Sequence, residues 1–384
     1  MPYNNVVSIF AILISFLIFI SFPVKTFAIS DPLSVPNNKI GIHILFPDEV
    51  DPASKIINNN GKGGWGYVTI PIQASDRDRI KWQRFFDQCK NDKVIPIIRV
   101  ATVPDGSNWV QPNSFDLVDF ANFLGDLNWP TENHYVVIFN EVNRSDEFGG
   151  FVSPENYSDI LNNAIDIFKA KSDNFFILPA GLDNAASNSR SSLNWRVYIE
   201  RMYLQHPDIF NKIDGWTSHA YPNPGFSARP DLSGSNKIDS FRSDLNYIRF
   251  FTTKKLPVFI TETGWSDSNL SEHQVALYYQ YALTHQWTDA NIVAITPFLL
   301  NAQDGPFEQF SFKKNDGTWK EFTTTLSSFA TIGQPNPSII QIKPIATPSA
   351  ELFPAESPSS QGNALSLLQR FYNSLKSIIG LFGK

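Results

Sequence analysis

Eight short apolar segments recur between residues 39 and 330, and longer segments of helical period separate them. Because almost every position in most of these segments is apolar, they are typical of parallel strands that are buried on both faces. Their alternation with helical segments predicts eight β/α units, which is the pattern of a (β/α)8 barrel of the α/β class. The predicted strands are residues 40–46, 67–72, 94–100, 135–139, 175–180, 214–218, 257–261 and 292–298.

The segments between the strands carry the signals of helices that cover a sheet. In residues 153–172, Ser153 and Glu155 are typical of a helix start, and apolar side chains follow at helical spacing. Residues 271–288 begin in the same way. A helix is also expected over residues 75–92, and it contains Cys89, the single cysteine of the chain. No disulfide within the chain is therefore possible, and a cysteine metal cluster is excluded.

The first residues show the pattern of a targeting signal. An uncharged apolar run covers residues 6–22, and the small residues Thr26 and Ala28 follow at a spacing typical of a cleavage site. This pattern predicts a signal peptide over residues 1–28. Because the run approaches membrane-spanning length and almost lacks a positive region before it, an uncleaved anchor remains open. Either alternative places the barrel outside the cytoplasm, secreted or at the cell surface.

The composition changes after the predicted barrel domain, which covers residues 39–332. Residues 333–362 are rich in Pro and Ser, which predicts an extended linker. In residues 363–384, apolar side chains recur at three- and four-residue steps, which predicts an amphipathic tail helix. Its apolar face is suited to a membrane surface or a partner helix, and docking on the barrel is the alternative.

Composition and charge narrow the possible functions. The chain is 42% hydrophobic and 18% charged, which favours a packed globular protein. Its formal net charge of −6 offers no broad positive field for phosphates, so nucleic acid is not an expected partner. Histidines and carboxylates do not follow metal-ligand spacing, and no Gly-rich phosphate loop follows a predicted strand. Neither a metal nor another cofactor is predicted.

Two predicted strands end in a carboxylate. The fourth strand is followed by Asn140 and Glu141, and the seventh strand is followed directly by Glu262. Barrel enzymes place catalysis at the carboxyl ends of their strands, so both side chains are expected above the barrel. Cleavage of a glycosidic bond needs such a pair, since one carboxyl must donate a proton and the other must stay ionised.

The sequences Asn140-Glu141 and Thr261-Glu262-Thr263-Gly264-Trp265 resemble the strand-four and strand-seven motifs of clan A glycoside hydrolases. The resemblance implies a (β/α)8 fold and retaining hydrolysis of O-glycosidic bonds. It implies that Glu141 is the general acid/base, that Glu262 is the nucleophile, and that Asn140 binds the 2-hydroxyl of the sugar. Trp216-Thr217-Ser218-His219-Ala220-Tyr221 resembles a further motif of the clan, which implies that Tyr221 orients the nucleophile and that His219 also belongs to the site.

Further side chains are candidate substrate contacts. Arg99, at the end of the third strand, could keep Glu262 ionised, and His43 on the first strand could contact a sugar hydroxyl. Phe298 lies nearest the place where the clan often has a tryptophan beneath the sugar. Trp265 and Trp109 lie near strand ends, where aromatic faces can stack on sugar rings or pack in the core.

The expected substrate is a carbohydrate, most simply a β-linked glycoside or an extracellular polysaccharide. Transglycosylation, in which a sugar acceptor replaces water, is a variant that these motifs do not separate from hydrolysis. The alternative from another class is a catalytically silent barrel that binds a glycan or a protein at the cell surface. Such a binder has no need of both Glu141 and Glu262, which favours the enzyme.

Overall fold

The computed structural model describes residues 29–34, 38–59, 63–302 and 305–330. Eight parallel strands alternate with eight helices in this part of the chain. The strands are β1 (Gly41–His43), β2 (Gly66–Gln73), β3 (Val94–Ala101), β4 (His134–Ile138), β5 (Phe175–Pro179), β6 (Trp216–His219), β7 (Val258–Glu262) and β8 (Ile292–Ile295). The helices that alternate with them are α1 (Val50–Ile57), α2 (Arg79–Asn91), α3 (Ser114–Gly125), α4 (Pro154–Lys171), α5 (Trp195–Gln205), α6 (Ser240–Ile248), α7 (Glu272–Tyr281) and α8 (Glu321–Phe329). A short helix, Ile209–Lys212, precedes β6, and a short antiparallel pair, Pro104–Asp105 with Asn108–Trp109, follows β3.

The strands form two parallel sheets, β1 to β5 in sequence order and β6 to β8 in sequence order. The sheets meet at two seams. A parallel bridge between Ile40 and Ile295 joins β1 to β8, and a bridge between Asp183 and His219 joins the end of β5 to β6. The predicted α/β class and the eight β/α units are thus confirmed, although the ladder of strand hydrogen bonds is not continuous across the two seams.

Two layers of apolar side chains explain why the strands are apolar on both faces. One layer fills the space between strands and helices. The other lies inside the strands and includes Trp65, Tyr67, Tyr135, Phe176 and Phe259. Alternate residues of β4 enter different layers, since Val136 belongs to the outer layer and Val137 to the inner one. Trp65 is therefore a core residue.

Helices α4 and α7 begin at the polar N-cap residues that the sequence predicted. The side chain of Ser153 accepts a hydrogen bond from the Asn156 N–H at the start of α4, and Ser271 caps α7 in the same way. The helix expected from residue 75 begins at Arg79, because the Asp78 carboxylate accepts the N–H groups of Ile80 and Lys81. The eighth strand ends at Ile295 and not at Phe298.

The predicted signal peptide or anchor (1–28), linker (333–362) and tail helix (363–384) lie outside the described residues. Within the residues that are described, none of the helices combines the length and the apolarity needed to cross a membrane. Cys89 is a buried free thiol in α2.

Candidate active site

A cleft of about 710 Å³ opens where the carboxyl ends of the strands meet. Six of the predicted site residues line it and come from β3, β4, β6 and β7 or from the segments that follow them: Arg99, Asn140, Glu141, His219, Tyr221 and Glu262. A seventh, Phe298, lines the opposite side after β8. The structure therefore brings together most of the side chains that the sequence motifs predicted.

Glu262 lies at the end of β7, and its side chain is only 9% exposed. The Arg99 guanidinium donates to its Oε1 over 2.9 Å, and the Tyr221 hydroxyl donates to its Oε2 over 3.0 Å. Burial alone would raise the pKa of Glu262. The positive charges of His219 and Arg99, together with the Tyr221 hydrogen bond, outweigh burial and hold this pKa below its ordinary value. Glu262 is thus kept ionised.

Glu141 follows β4 in a strained segment. Phe139 has φ 69° and Glu141 has φ 30°, a region that side-chain-bearing residues rarely adopt. Such strain persists where the surrounding structure imposes it, often at functional sites. Burial raises the pKa of Glu141, and the negative charges of Glu262 and Asp183 raise it further against the hydrogen bond from His219. Glu141 therefore holds a proton at higher pH than an ordinary glutamate.

His219 lies between these two carboxylates. Its Nδ1 is 2.9 Å from Glu141 Oε1 and 3.7 Å from Glu262 Oε2. The register between β6 and β7 shifts between Ser218 and His219, directly at this residue. Burial would lower the pKa of His219, but the charges of Glu262 and Glu141 raise it above its ordinary value. A carboxylate oxygen of Glu141, one of Glu262 and a ring nitrogen of His219 all lie within 4.8 Å of one another.

This trio offers ligand atoms that a metal ion could use, yet the charge around it favours a different role. The Arg99 guanidinium already donates to Glu262 and to Asn140 Oδ1. A divalent cation at the same carboxylate would be repelled by this fixed positive charge. Arg99 thus acts as the counter-ion of Glu262.

His43 does not fulfil the prediction that it contacts a sugar. It is fully buried, and its Nε2 lies 3.9 Å from Glu262 Oε1, on the protein side of that carboxylate. Burial lowers the pKa of His43 to about 3, so the ring is neutral at ordinary pH. Its ring also packs edge-on against Phe298, with centroids 5.1 Å apart. His43 is therefore a buried neighbour of Glu262 and is not among the residues that line the cleft.

Trp265, which the sequence predicts to contact a sugar, lies in the core and not in the cleft lining. The side chain is 1% exposed, packs against Tyr279 and Trp287, and donates its indole N–H to the Ala228 carbonyl over 2.9 Å. Gly264, directly before Trp265, has a φ of 149°, a backbone conformation that residues with side chains rarely adopt. Trp109, by contrast, lines the cleft.

The loops contribute cleft residues that the sequence motifs did not reveal. Glu147 is a third glutamate in the cleft, and burial raises its pKa to about 7. Arg144, Asp146 and Asp183 form an ion cluster beside Glu141. Phenylalanines cover the other side: Phe46, Phe226, Phe307 and Phe310. The loops that carry these residues have no regular sequence period. The only sequence signal for Arg144 and Glu147 is that they follow Glu141 closely along the chain.

Comparison with known proteins gives no match to a family model and none to a curated protein. Solved structures do match. A family 39 glycoside hydrolase from Bacteroides cellulosilyticus WH2 is 14% identical with a TM-score of 0.54, and the match covers 79% of this chain and 65% of that one. A GH5_18 protein from Bifidobacterium longum subsp. infantis is 12% identical with a TM-score of 0.52, and the match covers 78% and 80%.

A GH128 endo-beta-1,3-glucanase of subgroup II from Pseudomonas viridiflava is 12% identical with a TM-score of 0.50. That match covers 77% of this chain and 98% of the glucanase, whereas the chain spans only 65% of the family 39 protein. The matched structures are clan A glycoside hydrolases, in agreement with the resemblance of the strand-four and strand-seven motifs. The likeness is one of fold: the chain shares with these structures a parallel central sheet surrounded by helices.

Proposed function

We propose that the chain is a retaining glycoside hydrolase that cleaves a β-linked glycoside or polysaccharide. Glu141 is the general acid/base and Glu262 is the nucleophile. The observation that carries the proposal is the pair itself: carboxylate oxygens of Glu141 and Glu262 lie within 4.8 Å of each other in one cleft. Retaining enzymes hold their carboxyl groups about 5–5.5 Å apart, whereas inverting enzymes need about 6.5–9.5 Å to admit a water.

The opposite pKa shifts of the two glutamates support this division of roles. In the first step, Glu262 attacks the anomeric carbon while Glu141 gives its proton to the departing glycosidic oxygen. In the second step, Glu141 takes a proton from water, and that water displaces Glu262 from the sugar. The low pKa of Glu262 suits a nucleophile, and the raised pKa of Glu141 suits a proton donor.

The neighbouring side chains have matching roles in this mechanism. Tyr221 and Arg99 hold the Glu262 carboxylate from two directions, which fixes the oxygen that attacks. Asn140, whose Oδ1 accepts from Arg99, lines the cleft between the two glutamates and is placed to bind a sugar hydroxyl. Phe298 and Trp109 provide apolar surface for sugar rings.

A screen of chromogenic β-glycosides and cell-wall polysaccharides tests the proposal, with wild type, Glu141→Gln and Glu262→Gln assayed side by side. Hydrolysis by wild type and its loss in both variants would support it. Glu155→Gln is a matched control, because Glu155 pairs with Arg201 on the helical shell away from the cleft. Wild-type protein that binds glycans but cleaves none of them would favour the silent barrel. Added sugar acceptors separate transglycosylation from hydrolysis.

We further propose that the enzyme acts outside the cytoplasm, secreted or held at the cell surface. The support is the apolar run over residues 6–22 and the small residues after it. Cell fractionation with amino-terminal sequencing of the mature protein tests this, and recovery of the uncut chain in the cytoplasm would contradict it.

A further inference from the structure

Arg144 lies three residues after Glu141 and points toward it. The Arg144 Nη1 is 3.8 Å from Glu141 Oε2. The same guanidinium donates to both oxygens of the Asp146 carboxylate, over 3.2 Å from Nε and 2.8 Å from Nη2. Its Nη1 is also 3.6 Å from Asp183 Oδ2. The Arg144 N–H donates to the Glu141 carbonyl over 2.8 Å, which ties the two residues into one turn.

A cation this near is unfavourable for a general acid. A positive charge within about 4–6 Å of a carboxyl group stabilises its ionised form and lowers its pKa. An acid/base glutamate must instead keep its proton until the leaving oxygen needs it. The pKa of Glu141 is nevertheless raised.

Burial and the charges of Glu262 and Asp183 raise this pKa. The two-point contact with Asp146 holds Arg144 back from a closer pairing with Glu141 that would oppose them. A guanidinium that donates two parallel hydrogen bonds to one carboxylate is fixed in orientation as well as in charge. The Asp146 hydrogen bond is the largest influence on Arg144 and raises the pKa of the guanidinium. With Asp146 on one edge and Asp183 near Nη1, the charge of Arg144 is partly neutralised by two carboxylates other than Glu141.

We propose that Asp146 is a positioning residue that clamps Arg144 and thereby keeps the Glu141 carboxyl protonated. The assignment rests on the proposed function only for the role of Glu141 as acid. Without the Asp146 carboxylate, Arg144 is free to pair with Glu141, and one nearby negative charge is lost as well. Both changes lower the pKa of Glu141. Loss of Arg144 has the opposite sign, since it removes a positive charge near Glu141.

Other charged groups face Glu141 and stay the same in these variants. His219 on β6 lowers the pKa of Glu141 through its hydrogen bond, whereas Glu262 on β7 and Asp183 after β5 raise it. Glu147, in the segment after β4, also faces this carboxyl. Since their contributions are common to all variants, the comparison isolates the Arg144 and Asp146 pair.

The test is a titration that needs no substrate. The full chain is labelled with [δ-¹³C]glutamate, and the carboxyl signals are followed by NMR from pH 3 to pH 9, with Glu141→Gln used to assign the Glu141 signal. We expect Asp146→Asn to lower the pKa of Glu141 by about half a unit or more, as for a partly exposed ion pair. Arg144→Met should raise it. In the double variant the effect of Asp146→Asn should be largely lost.

Two controls separate the clamp from a general effect of substitution. Asp146→Glu keeps the charge and should restore a raised pKa. Asp231→Asn breaks a pair of the same two-residue spacing, in which Arg229 donates to both Asp231 oxygens on the surface, and should leave Glu141 unchanged. If Asp146→Asn does not fold, an unchanged pKa of Glu141 in Arg144→Met would still overturn the proposal, because the clamp requires that Arg144 can act on Glu141.

The outcomes are distinct. An unchanged pKa of Glu141 in Asp146→Asn, or equal shifts with and without Arg144, would overturn the clamp even if wild type hydrolyses glycosides. A shift of the expected sign in a protein that cleaves none of the substrates screened would uphold the clamp and count against the proposed function. With an active enzyme, Asp146→Asn should also move the basic limb of kcat/KM to lower pH.

Discussion

Gly181 lies directly against the imidazole of His219. A Cβ added to Gly181 would lie 2.1 Å from His219 Cδ2 and 2.4 Å from Nε2, which is closer than any real contact. The absence of a side chain at the end of β5 thus creates the space in which His219 lies between the two glutamates.

Gly181→Ala should therefore displace His219 and lower kcat/KM on the order of 10²-fold, the loss typical of a misplaced catalytic geometry. Gly181 does not adopt the left-handed backbone region, so the substitution acts through the contact alone. Steady-state kinetics with a thermal unfolding control measure the effect. Gly125→Ala is the comparison, because its methyl meets only the aliphatic part of Lys171. Full activity in Gly181→Ala would show that His219 has room to move.

The pH profile of kcat/KM should be bell-shaped. The active form needs Glu262 ionised, so activity falls as pH drops through the lowered pKa of Glu262. It also needs Glu141 protonated, so activity falls as pH rises through the raised pKa of Glu141. The two groups interact, and the limbs report apparent values of the pair.

Glu141→Ala should remove the basic limb and lower kcat/KM by about 10²–10⁴-fold for substrates with poor leaving groups, the usual contribution of a general acid. Substrates with good leaving groups need little protonation and should lose less. Equal losses for both kinds of substrate would remove the case for Glu141 as the proton donor.

Trp265 and Trp109 should differ in what they affect. Trp265→Ala should lower the free energy of unfolding by about 3–5 kcal/mol, as expected for a large side chain removed from a core, and leave KM of the folded enzyme nearly unchanged. Trp109→Ala should raise KM about three- to tenfold, since an aromatic contact contributes about 0.5–1.5 kcal/mol. Denaturant unfolding and kinetics measure both. If KM rises in Trp265→Ala and not in Trp109→Ala, Trp265 and not Trp109 is the sugar contact.

His134 should make stability depend on pH. Its ring stacks on Trp129 with centroids 4.5 Å apart, and burial lowers its pKa to about 3 from the ordinary 6.5. Between these values the unfolded chain binds a proton that the folded protein does not, so stability falls as pH drops. The loss from pH 7.5 to pH 5 amounts to about 2 kcal/mol from this residue.

His134→Phe should remove that contribution, and its free energy of unfolding should fall less over the same pH interval than that of wild type. Urea unfolding at the two pH values measures the difference. The same pH dependence in both proteins would mean that the buried ring accepts a proton without cost.

The strands and both glutamates could be predicted because their signals are local. An apolar run followed at once by Glu141 or Glu262 indicates a buried strand and a carboxylate at its end. The burial of a side chain at the end of a strand depends on the neighbouring strands and cannot be predicted from the local sequence. His43 also ends a strand, yet it is fully buried next to Glu262. The loop residues Arg144 and Glu147 depend on turns that no periodicity encodes.

The assignment of Glu262 as nucleophile is tested most directly by the stereochemistry of the first product. A β-glycoside cleaved in the screen is hydrolysed at high enzyme concentration, and the anomeric proton of the product is followed by ¹H NMR before mutarotation. We expect the β-anomer to appear first, since two displacements at one carbon retain its configuration. Initial appearance of the α-anomer would mean that water attacks directly, and it would contradict the role of Glu262 as nucleophile.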